Sequence, residues 1–189
     1  MSSRSNIIKA KIADIPALEG RPLAFIGVGS NLGAMDANSQ QTLEQAFAAL
    51  ATLSECPIAV SSLWETEPID CPPGSPVFIN AVVALAPKCS QPRALLEQLQ
   101  GIEKDFGRQR LGGRNAPRTL DLDLLSFADI VWDDDVLTLP HPRMQQRAFV
   151  VIPLLEIAPE YRLPGVSSTL SEVAYSVAGQ GIRKLRNNA

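Results

Sequence analysis

The stretch PRTLDLDLLSF, residues 117–127, alternates apolar and acidic side chains and so restricts what this chain can fold into. Alternate positions are occupied by Leu120, Leu122 and Leu124, which predicts a β-strand with these three side chains on one buried face. Asp121 and Asp123 then share the other face, with Cα atoms about 6.6 Å apart. Two like charges held this close repel each other and are costly to desolvate. This face must therefore be open to water or must hold a positive group.

Periodic segments in the rest of the chain predict an α+β domain. The predicted order is strand, helix, strand, strand, helix and strand, at residues 23–30, 38–50, 58–66, 77–86, 90–107 and 119–127. Asn38 or Ser39 is the expected N-cap of the first helix, and Ser90 that of the second. Two later segments, 148–158 and 168–177, read as further helices. We therefore predict a ferredoxin-like βαββαβ sandwich with additional C-terminal helices.

Length, charge and cysteine content narrow the class of protein. The chain has 189 residues, enough for one domain with a sizeable core. We expect residues 1–21 to be a loosely attached N-terminal extension, a candidate for disorder, and residues 22–189 to be a single domain. A net charge of −3 and the short apolar runs argue against nucleic-acid and membrane partners. Three widely spaced cysteines and the lack of a signal-peptide core predict a reduced, cytoplasmic protein.

A basic loop, GRQRLGGRNAPR (107–118), leads directly into the acidic strand. It contains no acid and four arginines: Arg108, Arg110, Arg114 and Arg118. Arginine binds phosphate oxygens in forked pairs, and carboxylates with water hold Mg²⁺, which in turn binds phosphate. A polyphosphate with one or two Mg²⁺ between Asp121 and Asp123 would satisfy both groups, while the loop glycines would let it move as a lid. The alternative is a solvated basic loop beside a strand that shows its acids to water.

Two other motifs are candidates for phosphate binding. No GxxxxGK[ST] motif occurs, and GVGSNLG (27–33) favours a tight strand-to-loop turn over a phosphate cradle. His141, the only histidine, lies between prolines with Arg143 and Arg147 close behind. A structural hydrogen-bonding role and a second phosphate contact are both open to it.

Five motifs in this order resemble the 6-hydroxymethyl-7,8-dihydropterin pyrophosphokinase family. They are FIGVGSNLG, SSLWETEP, FINAVVAL, GRQRLGGRNAPRTLDLDLL and LPHPRMQQRAFVVIPLLEIAP, and the resemblance runs from about residue 23 to 165. It implies a ferredoxin-like fold and an enzyme of folate biosynthesis. Such an enzyme moves the β,γ-pyrophosphate of ATP onto the pterin hydroxymethyl group and releases AMP. The resemblance also implies ATP and the pterin as small-molecule substrates, and we expect a monomer.

The resemblance further implies roles for individual residues. Asp121 and Asp123 correspond to ligands of two Mg²⁺ ions, and Arg108 and Arg118 to arginines that neutralise the triphosphate during transfer. The other positions on the ATP side are Gln100, Glu103, Arg110, His141 and Arg147. The positions on the pterin side are Thr66, Phe78, Asn80 and Phe149. The chemistry agrees, because aromatic faces suit a flat heterocycle and an amide suits its donor–acceptor edge.

Three positions depart from some family members, which have Lys, Trp and Tyr where this chain has Leu111, Asn115 and Pro142. Because of these departures, the affinity for ATP and the closure of the lid are not predicted, whereas the reaction type is. Two other functions remain as alternatives. One is another Mg-ATP-dependent phosphotransferase acting on a small alcohol. The other is a non-catalytic ferredoxin-like RNA-binding module, against which the acidic charge argues.

Overall fold

The computed structural model of the chain describes residues 6–34, 36–67, 74, 76–108 and 118–185. The strands are β1 Ile7–Ile8, β2 Ala24–Ser30, β3 Ile58–Val60, β4 Trp64–Thr66, β5 Phe78–Leu85, β6 Asp121–Phe127, β7 Trp132–Asp133, β8 Thr138–Leu139 and β9 Ile182–Lys184. The helices are α1 Ser39–Ala51, α2 Pro92–Asp105, α3 Ala148–Ile157 and α4 Leu170–Ser176. Among these residues, no helix is both long and apolar enough to cross a membrane.

Seven of the strands form one mixed sheet. Its main path runs β1-β3-β5-β2-β6, and β4 pairs with β5 on one side and with β9 on the other. β1 runs parallel to β3, whereas the other pairs are antiparallel. β7 and β8 form a separate hairpin.

Helices cover both faces of this sheet. Leu122 and Leu124 of β6 face α1 and α2, with Leu43, Phe47 and Leu99 in the same buried cluster. The opposite face packs against α3 through a second buried cluster: Phe25, Val82, Leu125, Val150 and Leu154. The α+β class that we predicted from the sequence is thus confirmed.

Most of the predicted elements lie where the pattern put them. Asn38 caps α1 in a capping box with Gln41, as expected from the first of the two candidate caps. The prediction of Ser90 as the N-cap of α2 is wrong, because α2 begins at Pro92 and Gln91 takes the cap position. Helices are found at both C-terminal segments, as α3 and α4.

The predicted strand at residues 58–66 is instead two strands, broken by a β-bulge. Val60 is opposite Val83 and Trp64 is opposite Asn80. The three residues 61–63 therefore lie across from only two residues of β5, 81–82. Ser61 stabilises this irregular stretch, since its Oγ accepts a hydrogen bond from the Val82 amide at 3.0 Å. The alternation of apolar and polar residues in one strand does not reveal a β-bulge, because the extra residue is defined only by the pairing with the neighbouring strand.

The N-terminal segment is attached more firmly than we expected. β1 pairs with β3, and two short 3₁₀ turns follow at Ile12–Asp14 and Pro16–Leu18. The side chains of Ile15 and Leu18 are 3% and 1% exposed in the cluster under α3. The single apolar residues of this segment, which suggested a loose tail, lie on one side of these turns and are buried there. The division of the chain at residue 21 stays a prediction, and residues 1–5 lie outside the described part.

Leu18→Ala should lower the free energy of unfolding by about 2–5 kcal/mol, because it removes a fully buried side chain and leaves a cavity. Urea denaturation monitored by circular dichroism measures this change. Val131→Ala is the matched control, since Val131 is 65% exposed and should give a change below about 0.5 kcal/mol. Equal, small effects for the two variants would show that residues 7–18 contribute little to the fold.

Candidate active site

The pairing of three adjacent strands brings the acidic pair next to an amide. β2 lies between β6 and β5, so Gly29 has Asp121 opposite on one side and Asn80 on the other. Gly27 lies opposite Asp123 in the next row on that face. Directly opposite residues of antiparallel strands project to the same face of a sheet. Both carboxylates and the Asn80 amide therefore share one face, with glycine between them.

The glycines of GVGSNLG have two different roles. A Cβ added at Gly29 would lie 3.0 Å from Asn80 Oδ1, so a side chain there would crowd the amide and fill the space above β2. Gly33 has φ +73°, and a Cβ there would clash with the Ala37 carbonyl oxygen. The tight turn predicted after the strand is thus present at Gly33.

Arginine side chains contact Asp121 from two directions. Arg118 Nη1 donates to Asp121 Oδ2 at 2.6 Å, and Arg108 Nη1 lies 2.9 Å from Oδ1. Of the two options that the sequence left for this face, a positive group is the one found at Asp121. Arg110 lies outside the described residues, as do Leu111 and Asn115.

Glu103 binds both β6 and Arg108. Its side chain is buried on α2, accepts a hydrogen bond from the Leu122 amide at 2.8 Å, and is ion-paired with Arg108. Burial raises the pKa of Glu103, although the Leu122 amide and the charge of Arg108 oppose that rise. Glu103 thus holds α2, β6 and Arg108 together, while Gln100 lies half-buried one turn earlier on the same helix.

Asp123 faces the segment that leads into α3. Arg147 Nη1 lies 3.5 Å from its Oδ2. Burial and the charge of Asp121 raise the pKa of Asp123, against the opposing influence of His141 and Arg147. His141 shows the opposite shift, because burial lowers its pKa more than the nearby carboxylate of Asp123 raises it. The imidazole is therefore neutral near pH 7.

The residues assigned to the pterin side lie on the same face of the sheet. Asn80 Nδ2 donates to Thr66 Oγ1 at 2.9 Å, and both side chains are buried. Phe78 is opposite Thr66 and half-buried. Phe149 is half-buried on α3, which packs on this face, and the Arg147 guanidinium lies 5.4 Å from its ring centroid.

Asn31 is a residue of this site that the sequence reading missed. Its side-chain Oδ1 accepts a hydrogen bond from the backbone N–H of Arg118 at 2.8 Å, and its backbone N–H donates to the Arg118 carbonyl oxygen at 3.2 Å. Its Nδ2 also donates to the Pro76 carbonyl oxygen at 3.4 Å. Asn31 thus fixes the backbone of Arg118. The available signal was its place in the motif FIGVGSNLG, which we interpreted only as a turn.

Comparison with known proteins gives one family. Residues 25–159 match the family model described as 7,8-dihydro-6-hydroxymethylpterin-pyrophosphokinase (HPPK). The chain is similar to a 2-amino-4-hydroxy-6-hydroxymethyldihydropteridine pyrophosphokinase of Synechocystis sp., with 39% identity over 82% of this chain and 75% of that protein. A protein of the same name from Pseudomonas aeruginosa is 39% identical over 85% of this chain and 95% of its own length.

A solved structure supports the fold independently of close sequence similarity. The crystal structure of Plasmodium falciparum HPPK-DHPS with STZ-DHP matches at a TM-score of 0.62 and 15% identity. The match covers 82% of this chain and 43% of that longer chain. At this identity the likeness shows a shared fold.

The imidazole of His141 should titrate with a midpoint below the usual value of about 6.5. Because the folded state holds the neutral form, its contribution to stability decreases as pH falls below about 6.5. Proton NMR can follow it without assignment, since the chain has one histidine. Asp123→Asn should lower the midpoint further, and the urea-unfolded chain should return it to about 6.5. A midpoint at or above 6.5 in the folded protein would contradict the burial argument.

Proposed function

The chain belongs to the 7,8-dihydro-6-hydroxymethylpterin-pyrophosphokinase family, and from this premise we infer its reaction. It transfers the β,γ-pyrophosphate of ATP to the hydroxymethyl group of 6-hydroxymethyl-7,8-dihydropterin in folate synthesis. The products are AMP and the pterin diphosphate. The structural observation that carries this function is the row Asp121–Gly29–Asn80, which puts a carboxylate and a buried amide on one stretch of sheet with glycine between them.

We propose that this stretch has a phosphate half and a pterin half. On the phosphate side, Arg108, Arg118 and Arg110 would neutralise the triphosphate, while His141 and Arg147 would contact ATP beside Asp123. Gln100 and Glu103 would lie near the adenosine. Supporting this division, Arg108 and Arg118 converge on Asp121, whereas the uncharged Asn80 and Thr66 lie two and three strands away from β6.

On the pterin side, Asn80 would bind the edge of the heterocycle, and Thr66 would complete that edge of the pocket. Asn80 already has Thr66 as a partner for its amide nitrogen, so its orientation is fixed before a ligand arrives. Phe78 and Phe149 would cover the two faces of the ring, since apolar aromatic surface suits a flat heterocycle.

Asp121 and Asp123 fit a magnesium site. Their carboxylates are hard oxygen donors on one face of β6, and their side chains are 21% and 36% exposed. Among the described residues, no group of three or more metal-binding side chains is found. That is the usual setting for Mg²⁺, which keeps waters and binds substrate phosphates beside one or two carboxylates. We propose two ions here, which when bound would offset phosphate charge and acidify a coordinated hydroxyl.

The pterin hydroxyl oxygen would attack the β-phosphorus in line. The bond from that phosphorus to the α,β-bridging oxygen breaks, AMP leaves, and the hydroxyl proton is lost. Little covalent help from protein is needed in such transfers, so positioning and charge stabilisation dominate. Arg108 and Arg118 would exchange Asp121 for phosphate oxygens and counter the charge that builds on the leaving oxygen.

We also propose the finer structural assignments that the resemblance implied. The core would be a ferredoxin-like arrangement, supported by the chain order β2-α1-β3-β5-α2-β6. Residues 22–189 would form a single domain, and the protein would be a cytoplasmic monomer. The lack of a disulfide-type cysteine pattern supports a reducing compartment.

Asp121→Asn and Asp123→Asn should each lower kcat by more than about tenfold, a barrier increase above ~1.4 kcal/mol, at saturating Mg²⁺. The carboxamides keep the shape of the side chains but lose the charge that holds the metal. Product analysis on incubation with ATP and the pterin should give AMP from the wild type. Asp129→Asn, an exposed acid just beyond the same strand, is the matched control and should keep full activity. ADP as the product would instead indicate a simple phosphotransferase.

Asn80→Ala should weaken pterin binding by about 1–3 kcal/mol, because the buried edge of the ligand loses its partner. Binding of an ATP analogue should hardly change, since Asn80 lies outside the proposed phosphate half. Isothermal titration calorimetry with each ligand separates the two effects. Equal losses for both ligands would argue against a pterin-specific role.

A further inference from the structure

The bulge at residues 61–63 determines on which face of the sheet the side chains of β4 lie. Before the bulge, Val60 pairs with Val83 and faces the core under α1 and α2. After it, Trp64 and Thr66 pair with Asn80 and Phe78 and lie on the opposite face. Without the extra residue, the strict alternation of a strand would place Thr66 in the core beneath the sheet. The Thr66–Asn80 hydrogen bond therefore depends on the bulge.

One carboxylate binds both the bulge and the residue after it. Glu156 of α3 accepts hydrogen bonds from the Ser62 amide at 3.1 Å and the Ser62 hydroxyl at 2.7 Å. It also accepts from Trp64 Nε1 at 3.2 Å and from Lys184 Nζ of β9 at 2.8 Å. Each carboxylate oxygen thus receives two donors. Burial alone would raise the pKa of Glu156, but these donors outweigh it and hold the pKa below its usual value.

The same helix supports the other side of the pterin half. Phe149 lies seven residues before Glu156 on α3, which puts the two side chains on nearly the same face of the helix. The first turn of α3 is fixed separately, because Gln180 Oε1 accepts from the Ala148 amide at 2.9 Å. Glu156 is therefore a direct polar link between the helix that carries Phe149 and the strand that carries Thr66.

We propose that Glu156 is a positioning residue for the pterin half of the site. It holds the bulge and the Trp64 indole so that Thr66 meets Asn80, and it sets the distance between β4 and α3. It acts through these residues rather than by touching substrate. The proposal rests on the proposed function, since it assigns Thr66, Asn80 and Phe149 to pterin binding.

Glu156→Gln is the principal test, because glutamine keeps the size of the side chain but presents an amide donor to groups that are themselves donors. We expect the Kd and KM for the pterin to rise by about tenfold, because Thr66, Asn80 and Phe149 lose the fixed positions in which they would bind it. The Kd for an ATP analogue should stay within about twofold. The matched control is Glu65→Gln on the same strand. Glu65 pairs with Arg183 of β9 on the opposite face, so this variant should leave both ligands unaffected.

A spectroscopic readout tests the geometry directly. The chain has two tryptophans, so the nitrogen-15 NMR spectrum should show two indole N–H signals. Glu156→Gln should shift the signal of Trp64 and leave that of Trp132, whose indole binds Asp134, in place. If Glu156→Gln fails to fold, Trp64→Phe and Ser62→Ala remove single donors to Glu156 and should weaken pterin binding selectively by smaller factors.

Two results would overturn the proposal: equal losses of pterin and ATP binding, or unchanged pterin binding with a displaced Trp64 signal. Failure of the proposed function gives a different result. In that case the wild type itself would bind no pterin and form no AMP, whatever Glu156 does to the bulge.

Discussion

The register of β2 between its two neighbours is the constraint on which the site depends. Only this register places Gly29 between Asp121 and Asn80. A shift of β6 by one residue against β2 would move both carboxylates to the face of the sheet that packs in the leucine core. That slip would bury two unpaired charges, at a cost of several kcal/mol each. Leu122 and Leu124 fix the register from the opposite face, because they fill the core only in this alignment. The same alternation therefore specifies both the fold and the placement of the chemistry.

Charge around Asp121 is balanced before any ligand is present. Glu103, Arg108, Asp121 and Arg118 form an alternating series of acids and bases across α2, the start of the basic loop and β6. Partly buried pairs of this kind add little net stability, because desolvation offsets most of the attraction. Their effect is to hold the two guanidinium groups beside Asp121. In the proposed function, phosphate oxygens would meet cations that are already oriented.

Residues with a local pattern were predictable from the sequence, and residues whose role depends on distant contacts were not. The alternation at 120–124 located β6 and the shared face of Asp121 and Asp123, and the Asn38 cap located α1. Asn31 and Glu156 lie within motifs of the resemblance, but no local pattern gives their roles, because their partners lie far away in the chain, at Arg118 and at Ser62. The break in the strand at 58–66 was hidden for the same reason, since its bulge is defined only against β5. Burial of Ile15 and Leu18 likewise required knowledge of the surface that receives them.

The first and last strands of the described residues, β1 and β9, pair with one border of the sheet. β3 is covered by β1 and β4 by β9, so successive parts of the 58–66 border are hydrogen-bonded to the N-terminal and the C-terminal segments. An uncovered strand border exposes free amide and carbonyl groups that can template the addition of a strand from another molecule. β1 and β9 are two and three residues long, so they replace the longer 58–66 border with short edges, which are poor templates for a further strand. Because the border that they cover includes the strand that carries Thr66, the short edge and the shape of the proposed pterin half depend on the same few backbone hydrogen bonds.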